Sequence, residues 1–305
     1  MRLGGMQNQY GDESPDALFL TSLLDVASTR IEVENHFQRR LPTILYMHEN
    51  QAEYPRDPGG PDEERDVHFA LTNLTSILAA DLVLWNSRWN LESFIVGIQE
   101  ILSHSRGVEL GDIASKIRSR SNVAWCPVEV PRPLVPSPIP EDDRALVVWP
   151  HRHEYDKGPD ELLELAERCH GKPIRWALLG ERFSKTPKSI QLFRERFSDQ
   201  IVFDDYPTRP VYESILASAS WVCSTAKHEF FGLSVVEAMF SGCLPWVPTR
   251  LSYRELLPAA ARDLSPLAPP GNVDDIHEAI RWHLGAAEAS VAAARIDRLL
   301  ENAVS

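Results

Sequence analysis

The sequence predicts an α/β protein of two domains, each with a mostly parallel sheet covered by helices. Short apolar runs alternate with longer helix-like stretches along the chain, which is the order of parallel strands and crossover helices. Residues 127–140 contain six prolines, so no regular element can run through them. The chain has 305 residues, 43% of them hydrophobic, which is enough to build a core on each side of that segment.

We therefore expect an N-terminal domain at residues 1–126, a linker at 127–143, a second domain at 144–273 and a C-terminal helical segment at 274–305. In the first domain the apolar runs at residues 18–20, 43–47 and 81–85 predict strands, and residues 64–80 and 91–104 predict helices. In the second domain, strands are predicted at residues 145–149, 174–179, 201–203 and 219–223, and helices near 160–169, 188–197, 211–217 and after 232.

Composition limits the class of protein. No uninterrupted apolar run approaches the roughly 18 residues of a transmembrane helix, and the first 16 residues lack the apolar core of a signal peptide. We expect a soluble, cytoplasmic protein without membrane association. The four cysteines are far apart and lack the short paired spacing of a zinc site. The net charge of −13 repels polyanions, although residues 116–120 and the pair Arg39 and Arg40 form local basic stretches.

The most informative segment is residues 227–237, KHEFFGLSVVE, which places two carboxylates around a Phe-Gly turn. A buried strand precedes the turn, and Leu233 and Val236 begin a helical repeat after it. The first N–H groups of that helix lack internal partners and carry the positive end of the dipole, which suits a diphosphate. Glu229 is placed to accept hydrogen bonds from sugar hydroxyls, and Glu237 could reach a ribose. The segment predicts a site for a sugar nucleotide.

Several segments together resemble one protein family. They are residues 46–51 (YMHENQ), 80–87 (ADLVLWNS), 90–94 (NLESF), 149–157 (WPHRHEYDK) and 224–232 (STAKHEFFG). Glu229 and Glu237 match the Glu-x7-Glu signature of the retaining glycosyltransferases of family 4. The other segments resemble the queuosine-tRNA mannosyltransferase branch, also described as glycosyltransferase-like domain-containing proteins. The resemblance covers roughly residues 18–260.

The resemblance implies a GT-B fold, in which two Rossmann-like domains face a cleft. It also implies transfer of mannose, with retention, from GDP-mannose to the queuosine base of a tRNA. Glu229 and His48 would be catalytic. Arg152 and Lys157 match the basic pair directed at the donor diphosphate, and Phe231, Gly232, Leu233 and Glu237 would complete the donor site. Positive charge is needed there because the leaving group gains negative charge as the glycosidic bond stretches.

The sequence offers further candidates for the site. Asn86 and Ser87 follow a predicted strand and would lie at the same sheet edge as His48. Lys227 and His228 could contact the donor or could be surface residues. Asp205 and Tyr206 are candidate contacts to the nucleotide base. Because Asp204 and Asp205 lack a supporting ligand at short spacing, we expect no metal and no cofactor beyond the donor substrate.

One departure from the family pattern concerns the N-terminus. Family members begin with a strand, a Gly-rich loop and a helix before the segment that matches residue 18 onward. The first 17 residues contain nothing comparable, so the first domain is expected to lack its first strand and that loop. Two alternatives to the leading interpretation remain open: a related enzyme with another nucleotide sugar and a small-molecule or lipid acceptor, and a non-catalytic nucleotide-binding protein.

Overall fold

A computed structural model describes residues 15–53, 67–104, 111–181 and 186–304. The strands are β1 (Leu18–Thr21), β2 (Thr43–Met47), β3 (Leu82–Trp85), β4 (Ser121–Val123), β5 (Ala145–Trp149), β6 (Ile174–Leu178), β7 (Ile201–Asp204), β8 (Trp221–Cys223) and β9 (Leu244–Trp246). The helices are α1 (Val26–Phe37), α2 (Val67–Ala79), α3 (Arg88–Ser103), α4 (Ile113–Arg118), α5 (Pro159–Arg168), α6 (Lys188–Arg196), α7 (Arg209–Ser218), α8 (Leu233–Phe240), α9 (Tyr253–Leu256), α10 (Val273–Leu284) and α11 (Ala289–Val304).

The described strands form two parallel sheets. The first has the order β1-β2-β3-β4 and the second the order β7-β6-β5-β8-β9. All five residues of β2 and all five of β6 are buried, as expected for strands covered by helices on both faces. Two parallel sheets flanked by helices confirm the predicted α/β architecture.

Each sheet has its own apolar core. In the first, Leu45, Val83 and Trp85 pack with Phe94 and Ile98 of α3. In the second, strand residues such as Trp149 and Trp176 pack with the surrounding helices. The last helix, α11, lies on the first sheet, where Ile296, Leu299 and Leu300 pack against a buried cluster that includes Ile44 and Leu84. The chain therefore returns to the first sheet after completing the second.

Several boundaries differ from the predicted ones. Helix α3 begins at Arg88 rather than at residue 91, because the Ser87 side chain caps it by accepting from the Asn90 N–H at 2.9 Å. Helix α7 begins at Arg209 rather than at 211, with a proline in its first turn, where the missing N–H costs nothing. Strand β8 is shorter than predicted because Ala219 caps α7.

The proline-rich segment contains no regular element, as predicted, but it is held at both ends. The N–H of Val128 donates to the Ala287 carbonyl at 2.8 Å, and the Val128 carbonyl accepts from the Ala289 N–H at 2.9 Å. Ile139 is buried in the second core. The predicted lack of a first strand and Gly-rich loop concerns a segment of which residues 1–14 lie outside the described residues. No helix in the described part of the chain is long and apolar enough to cross a membrane.

Candidate functional site

The predicted motif lies on the loop between β8 and α8, with the start of α8 at its end. Gly232 has a φ of 91°, and a Cβ at this position would lie 2.8 Å from the Tyr253 ring. Only glycine meets both constraints. The loop therefore turns tightly against Tyr253 and presents residues 229–234 to a cleft.

That cleft has a volume of about 390 Å³ and is bounded by both sheets. Its lining includes seven of the predicted site residues: His48, Arg152, Lys157, Glu229, Phe231, Gly232 and Leu233. His48 follows β2 of the first sheet, whereas the others follow β5 and β8 of the second. The carboxyl ends of strands from both sheets therefore face each other across the cleft, as in open α/β folds that bind ligands at such edges.

Glu229 is held by its own loop and by Lys157. Its side chain accepts from the Phe230 N–H at 3.2 Å and lies 3.4 Å from the Lys157 ammonium. The side chain is 19% exposed. It is therefore oriented by the protein yet accessible from the cleft.

Lys157 lies in a short 3₁₀ turn after β5 and is shared between two carboxylates. Its ammonium is 3.1 Å from Asp156 and 3.4 Å from Glu229, and it donates to the His228 carbonyl at 3.1 Å. Burial opposes charging of Lys157, but Glu229 and Asp156 outweigh it and raise the pKa of Lys157. The side chain is thus a cation whose charge is balanced by neighbouring carboxylates before any ligand enters.

Asp156 was not singled out by the sequence analysis. It is buried, pairs with Lys157, and its backbone carbonyl accepts from the Lys227 and His228 N–H groups at 2.8 and 3.2 Å. One acidic residue thus ties the turn after β5 to the loop after β8. The pattern YDK contains no local signal that Asp156 is buried, because the groups that bind its backbone carbonyl, the N–H groups of Lys227 and His228, come from a distant part of the chain.

Arg152 lies at the other end of the same segment and is more exposed. Its guanidinium is 3.1 Å from the Glu154 carboxylate, and its side chain is 47% exposed. The residue lines both the cleft and a neighbouring cavity of about 270 Å³. It therefore lies where two halves of an elongated ligand would meet.

The neighbouring cavity contains the remaining predicted donor residue, Glu237. Tyr206, Arg209 and Tyr212 also line it, and it shares Pro150, His151, Arg152 and Ser234 with the cleft. The structure thus brings seven predicted residues together and places the eighth in an adjoining space. Tyr206, named as a candidate base contact, lines this cavity, whereas Asp205 is exposed and not part of the lining.

His48 faces these groups from the first domain. The Ser22 hydroxyl lies 3.1 Å from its Nδ1 atom, and its backbone carbonyl accepts from the Asn86 amide at 2.7 Å. Asn86 also lines the cleft. Ser87 instead connects the two halves, since its hydroxyl donates to the Phe230 carbonyl at 2.5 Å.

Glu255 makes a second connection between the halves that the sequence did not indicate. Its carboxylate accepts from the Arg88 and Trp89 N–H groups, both at 3.1 Å, at the N-terminus of α3. Burial raises the pKa of Glu255, and these two bonds act in the opposite direction. A helix of the first domain is thus capped by a carboxylate from the second.

Other candidates have structural roles. The Lys227 ammonium lies 4.1 Å from the Tyr155 ring centroid and 3.5 Å from Glu161, and it does not line the cleft. Arg118 pairs with Glu92 at 2.6 Å, and Arg120 donates to the Leu78 and Ala80 carbonyls. In the described part of the chain no group of three or more His, Cys, Asp or Glu residues could hold a metal ion.

A buried hydrogen-bonded chain supports the loop from behind. Ser224 Oγ lies 2.8 Å from His151 Nε2 and 2.8 Å from the Tyr253 hydroxyl, the residue that packs on Gly232. Burial lowers the pKa of His151 to about 3 and that of His228 to about 4, and the charge of Lys157 adds to both effects. Both imidazoles are therefore neutral near pH 7.

We expect the protein to lose stability as the pH falls from about 6.5 towards 4. The folded-state pKa values of the two histidines lie below the unfolded value, so the unfolded chain binds protons first. Each histidine would remove about 2 kcal/mol or more over that range. Urea unfolding at a series of pH values measures this loss. In the His228→Asn variant, the free energy of unfolding should depend less steeply on pH than in the wild type. The same pH dependence in both proteins would contradict a lowered pKa of His228 in the folded state.

Comparisons with known proteins bear on the sequence relatives and the fold of this chain. Residues 5–128 match a family model described as tRNA-queuosine alpha-mannosyltransferase N-terminal. A tRNA-queuosine alpha-mannosyltransferase of Drosophila melanogaster is 33% identical over 226 residues, which cover 70% of this chain and 59% of that protein. The chain thus spans less than two thirds of that relative's length.

Solved structures of low sequence identity share the fold. Anabaena HepE in complex with UDP is 14% identical, with a TM-score of 0.63 and coverage of 93% of this chain and 79% of that one. Sucrose-phosphate synthase from Thermosynechococcus elongatus is 15% identical, with a TM-score of 0.59 and coverage of 95% and 69%. The predicted GT-B fold is therefore confirmed. In sequence, the chain is similar to tRNA-queuosine alpha-mannosyltransferases.

Proposed function

We propose that this protein is a retaining glycosyltransferase that moves mannose from GDP-mannose to the queuosine base of a tRNA. The observation that carries the proposal is the convergence of Glu229, Lys157 and Arg152 with His48 of the opposite domain on one cleft. Similarity to tRNA-queuosine alpha-mannosyltransferases supports the donor sugar and the tRNA acceptor. The net charge of −13 and the internal pairing of Arg118 and Arg120 add no support for the tRNA.

In this proposal the nucleoside occupies the cavity with Glu237 and Tyr206, and the sugar diphosphate occupies the cleft. Glu237 accepts from the ribose hydroxyls, and Glu229 accepts from hydroxyls of the donor sugar. Arg152 contacts the diphosphate, as does the N-terminus of α8, which begins at Leu233. Lys157 faces the phosphate nearest the sugar while remaining paired with Asp156.

The reaction breaks the bond between the sugar C1 and the β-phosphate oxygen and forms a bond from C1 to an acceptor hydroxyl oxygen. The acceptor proton passes to the departing phosphate on the same face, so GDP is released and configuration is retained. Charge builds on that phosphate as the bond stretches, and fixed positive groups stabilise it. His48 lies across the cleft from these groups, on the side from which the donor sugar would be contacted.

Transfer of labelled mannose from GDP-mannose to queuosine-containing tRNA tests the proposal directly. Parallel reactions with UDP-sugars and with tRNA that lacks queuosine identify a different donor or acceptor. Incorporation only with GDP-mannose and queuosine-containing tRNA is the expected result. Transfer from another donor would support the related-enzyme alternative, and nucleotide binding without any transfer would support a binding protein.

We further propose that turnover needs no metal ion, because protein cations and a helix N-terminus supply the positive charge at the diphosphate. Treatment with EDTA should leave transfer unchanged. Loss of transfer with EDTA and its recovery with magnesium or manganese would contradict this.

Replacing Arg152 with alanine should raise the Kd for GDP about tenfold or more, since a charge-assisted contact to the diphosphate contributes about 1.5–3 kcal/mol. Isothermal titration calorimetry measures the change. Arg168→Ala, at an exposed position on α5, is the matched control and should bind GDP as the wild type does. An unchanged Kd in Arg152→Ala would remove this residue from the donor site.

A further inference from the structure

Glu237 is held by two side chains of helix α7. Arg209 Nη1 donates to Glu237 Oε1 at 2.6 Å, and the Tyr212 hydroxyl donates to Oε2 at 3.0 Å. Each carboxylate oxygen thus has a donor from α7. An ionised carboxylate offers about four acceptor positions, so each oxygen keeps capacity for one more hydrogen bond. The carboxylate itself lines the cavity beside the cleft.

The donors are themselves oriented. Arg209 Nε donates to Glu213 Oε1 at 2.7 Å, one turn along α7, and the guanidinium lies 5.5 Å from the Tyr212 ring centroid. Burial and the neighbouring Glu237 raise the pKa of Tyr212, so its hydroxyl stays protonated and acts as a donor. The two contacts therefore fix the orientation of the Glu237 carboxylate. Each of its oxygens can still accept a hydrogen bond from a ligand.

These contacts contribute little to the packing of the two helices. Helix α7 is anchored by Ser214, Ile215 and Leu216, and α8 by buried residues such as Val235 and Val236. Arg209 lies in the first turn of α7 with its side chain 48% exposed. Its removal would change the orientation of the Glu237 carboxylate more than the fold.

We propose that Arg209 and Tyr212 are positioning residues that aim Glu237 at the two ribose hydroxyls of the bound nucleotide and so determine selectivity for ribonucleotides. The inference rests on the proposed function, because it takes the ligand of this cavity to be a nucleoside diphosphate. A vicinal diol presents two adjacent donors, and a carboxylate with one open position on each oxygen is complementary to it. A rotated carboxylate would meet only one of them.

The test compares the Kd values of GDP and 2′,3′-dideoxy-GDP, and of UDP and 2′,3′-dideoxy-UDP, by isothermal titration calorimetry. The wild type should bind the ribonucleotide at least about tenfold more tightly, as expected for the loss of charged hydrogen bonds. In Arg209→Met this ratio should fall towards one, because the ribonucleotide binds more weakly and the dideoxy analogue is unaffected. Tyr212→Phe should lower the ratio by a smaller factor.

Two further variants separate positioning from direct contact. Arg209→Met combined with Glu237→Gln should show the same ratio as Glu237→Gln alone, since Arg209 acts through the carboxylate. Arg168→Met is the matched control and should retain the wild-type ratio. If Arg209→Met weakens binding of the ribonucleotide and of its dideoxy analogue equally, Arg209 contacts the phosphate or the base. That result would overturn the inference.

Measurements with both GDP and UDP distinguish failure of this inference from failure of the proposed donor. Tight binding of UDP in place of GDP would refute the proposed donor, and the ribose ratio would still be measured with UDP. A wild-type ratio near one for the nucleotide that binds would overturn the inference and leave the donor assignment intact. Binding of no nucleoside diphosphate would overturn both.

Discussion

Glu229→Gln is expected to reduce kcat for the proposed mannose transfer by about 10²–10³-fold, the range associated with removal of one oriented electrostatic contact at a reacting centre. Glu229 is fixed by the Phe230 N–H and Lys157, and its carboxylate faces the cleft. The amide keeps the size of the side chain but removes its charge and one acceptor. It therefore cannot hold a donor sugar in the same way.

Steady-state kinetics with GDP-mannose and queuosine-containing tRNA measure this effect, and urea unfolding verifies that the variant is folded. Glu164→Gln, at an exposed position on α5, is the matched control and should leave kcat unchanged. GDP affinity should also be preserved in Glu229→Gln, because its proposed partner is the sugar. Wild-type turnover in a folded Glu229→Gln protein would refute the assignment of the site.

The second large effect is expected for Lys157→Met, which should impair both stability and transfer. Lys157 is 12% exposed and is the cation between Asp156, 11% exposed, and Glu229. Its removal leaves two neighbouring carboxylates uncompensated in a poorly solvated region, which should lower the free energy of unfolding by about 3 kcal/mol or more. Transfer should fall by about 10²-fold or more, because the departing phosphate loses a nearby cation.

A double variant distinguishes the two consequences. Lys157→Met combined with Glu229→Gln removes one positive and one negative charge, so part of the lost stability should return while transfer stays low. Lys172→Met, at an exposed position after α5, should match the wild type in both measurements. If Lys157→Met has the same urea midpoint of unfolding as the wild type, the Lys157 ammonium does not compensate the charges of the two carboxylates.

The net charge around Lys157 affects how a diphosphate could bind. Asp156, Lys157 and Glu229 together carry one negative formal charge, so Lys157 alone does not make the cleft electropositive. In the proposed donor site, Arg152 and the N-terminus of α8 would therefore also stabilise an arriving diphosphate. This explains why the two members of the basic pair have different expected effects: Arg152 on nucleotide affinity, and Lys157 on stability and transfer.

Much of the fold could be predicted from local patterns. Apolar runs such as Thr43–Met47 and Ala145–Trp149 are buried strands, and the prolines of residues 127–140 interrupt regular structure as expected. Less regular pieces were not predicted. The short strand Ser121–Val123 and helix Ile113–Arg118 have too few residues for a periodic signal, and each depends on neighbours already in place.

For the site, the sequence by itself determined the motif with Glu229, Gly232 and Glu237, because a strand, a turn that requires glycine and a helix are encoded within about twenty consecutive residues. Only the tertiary structure decided that Asp156 shares Lys157 with Glu229, that Glu255 caps a helix of the other domain, and that Arg209 and Tyr212 orient Glu237. The physical reason is distance along the chain. Contacts between residues 25 positions apart, as for Tyr212 and Glu237, or 167 apart, as for Arg88 and Glu255, depend on how the sheets and helices pack. No local pattern of residues specifies them.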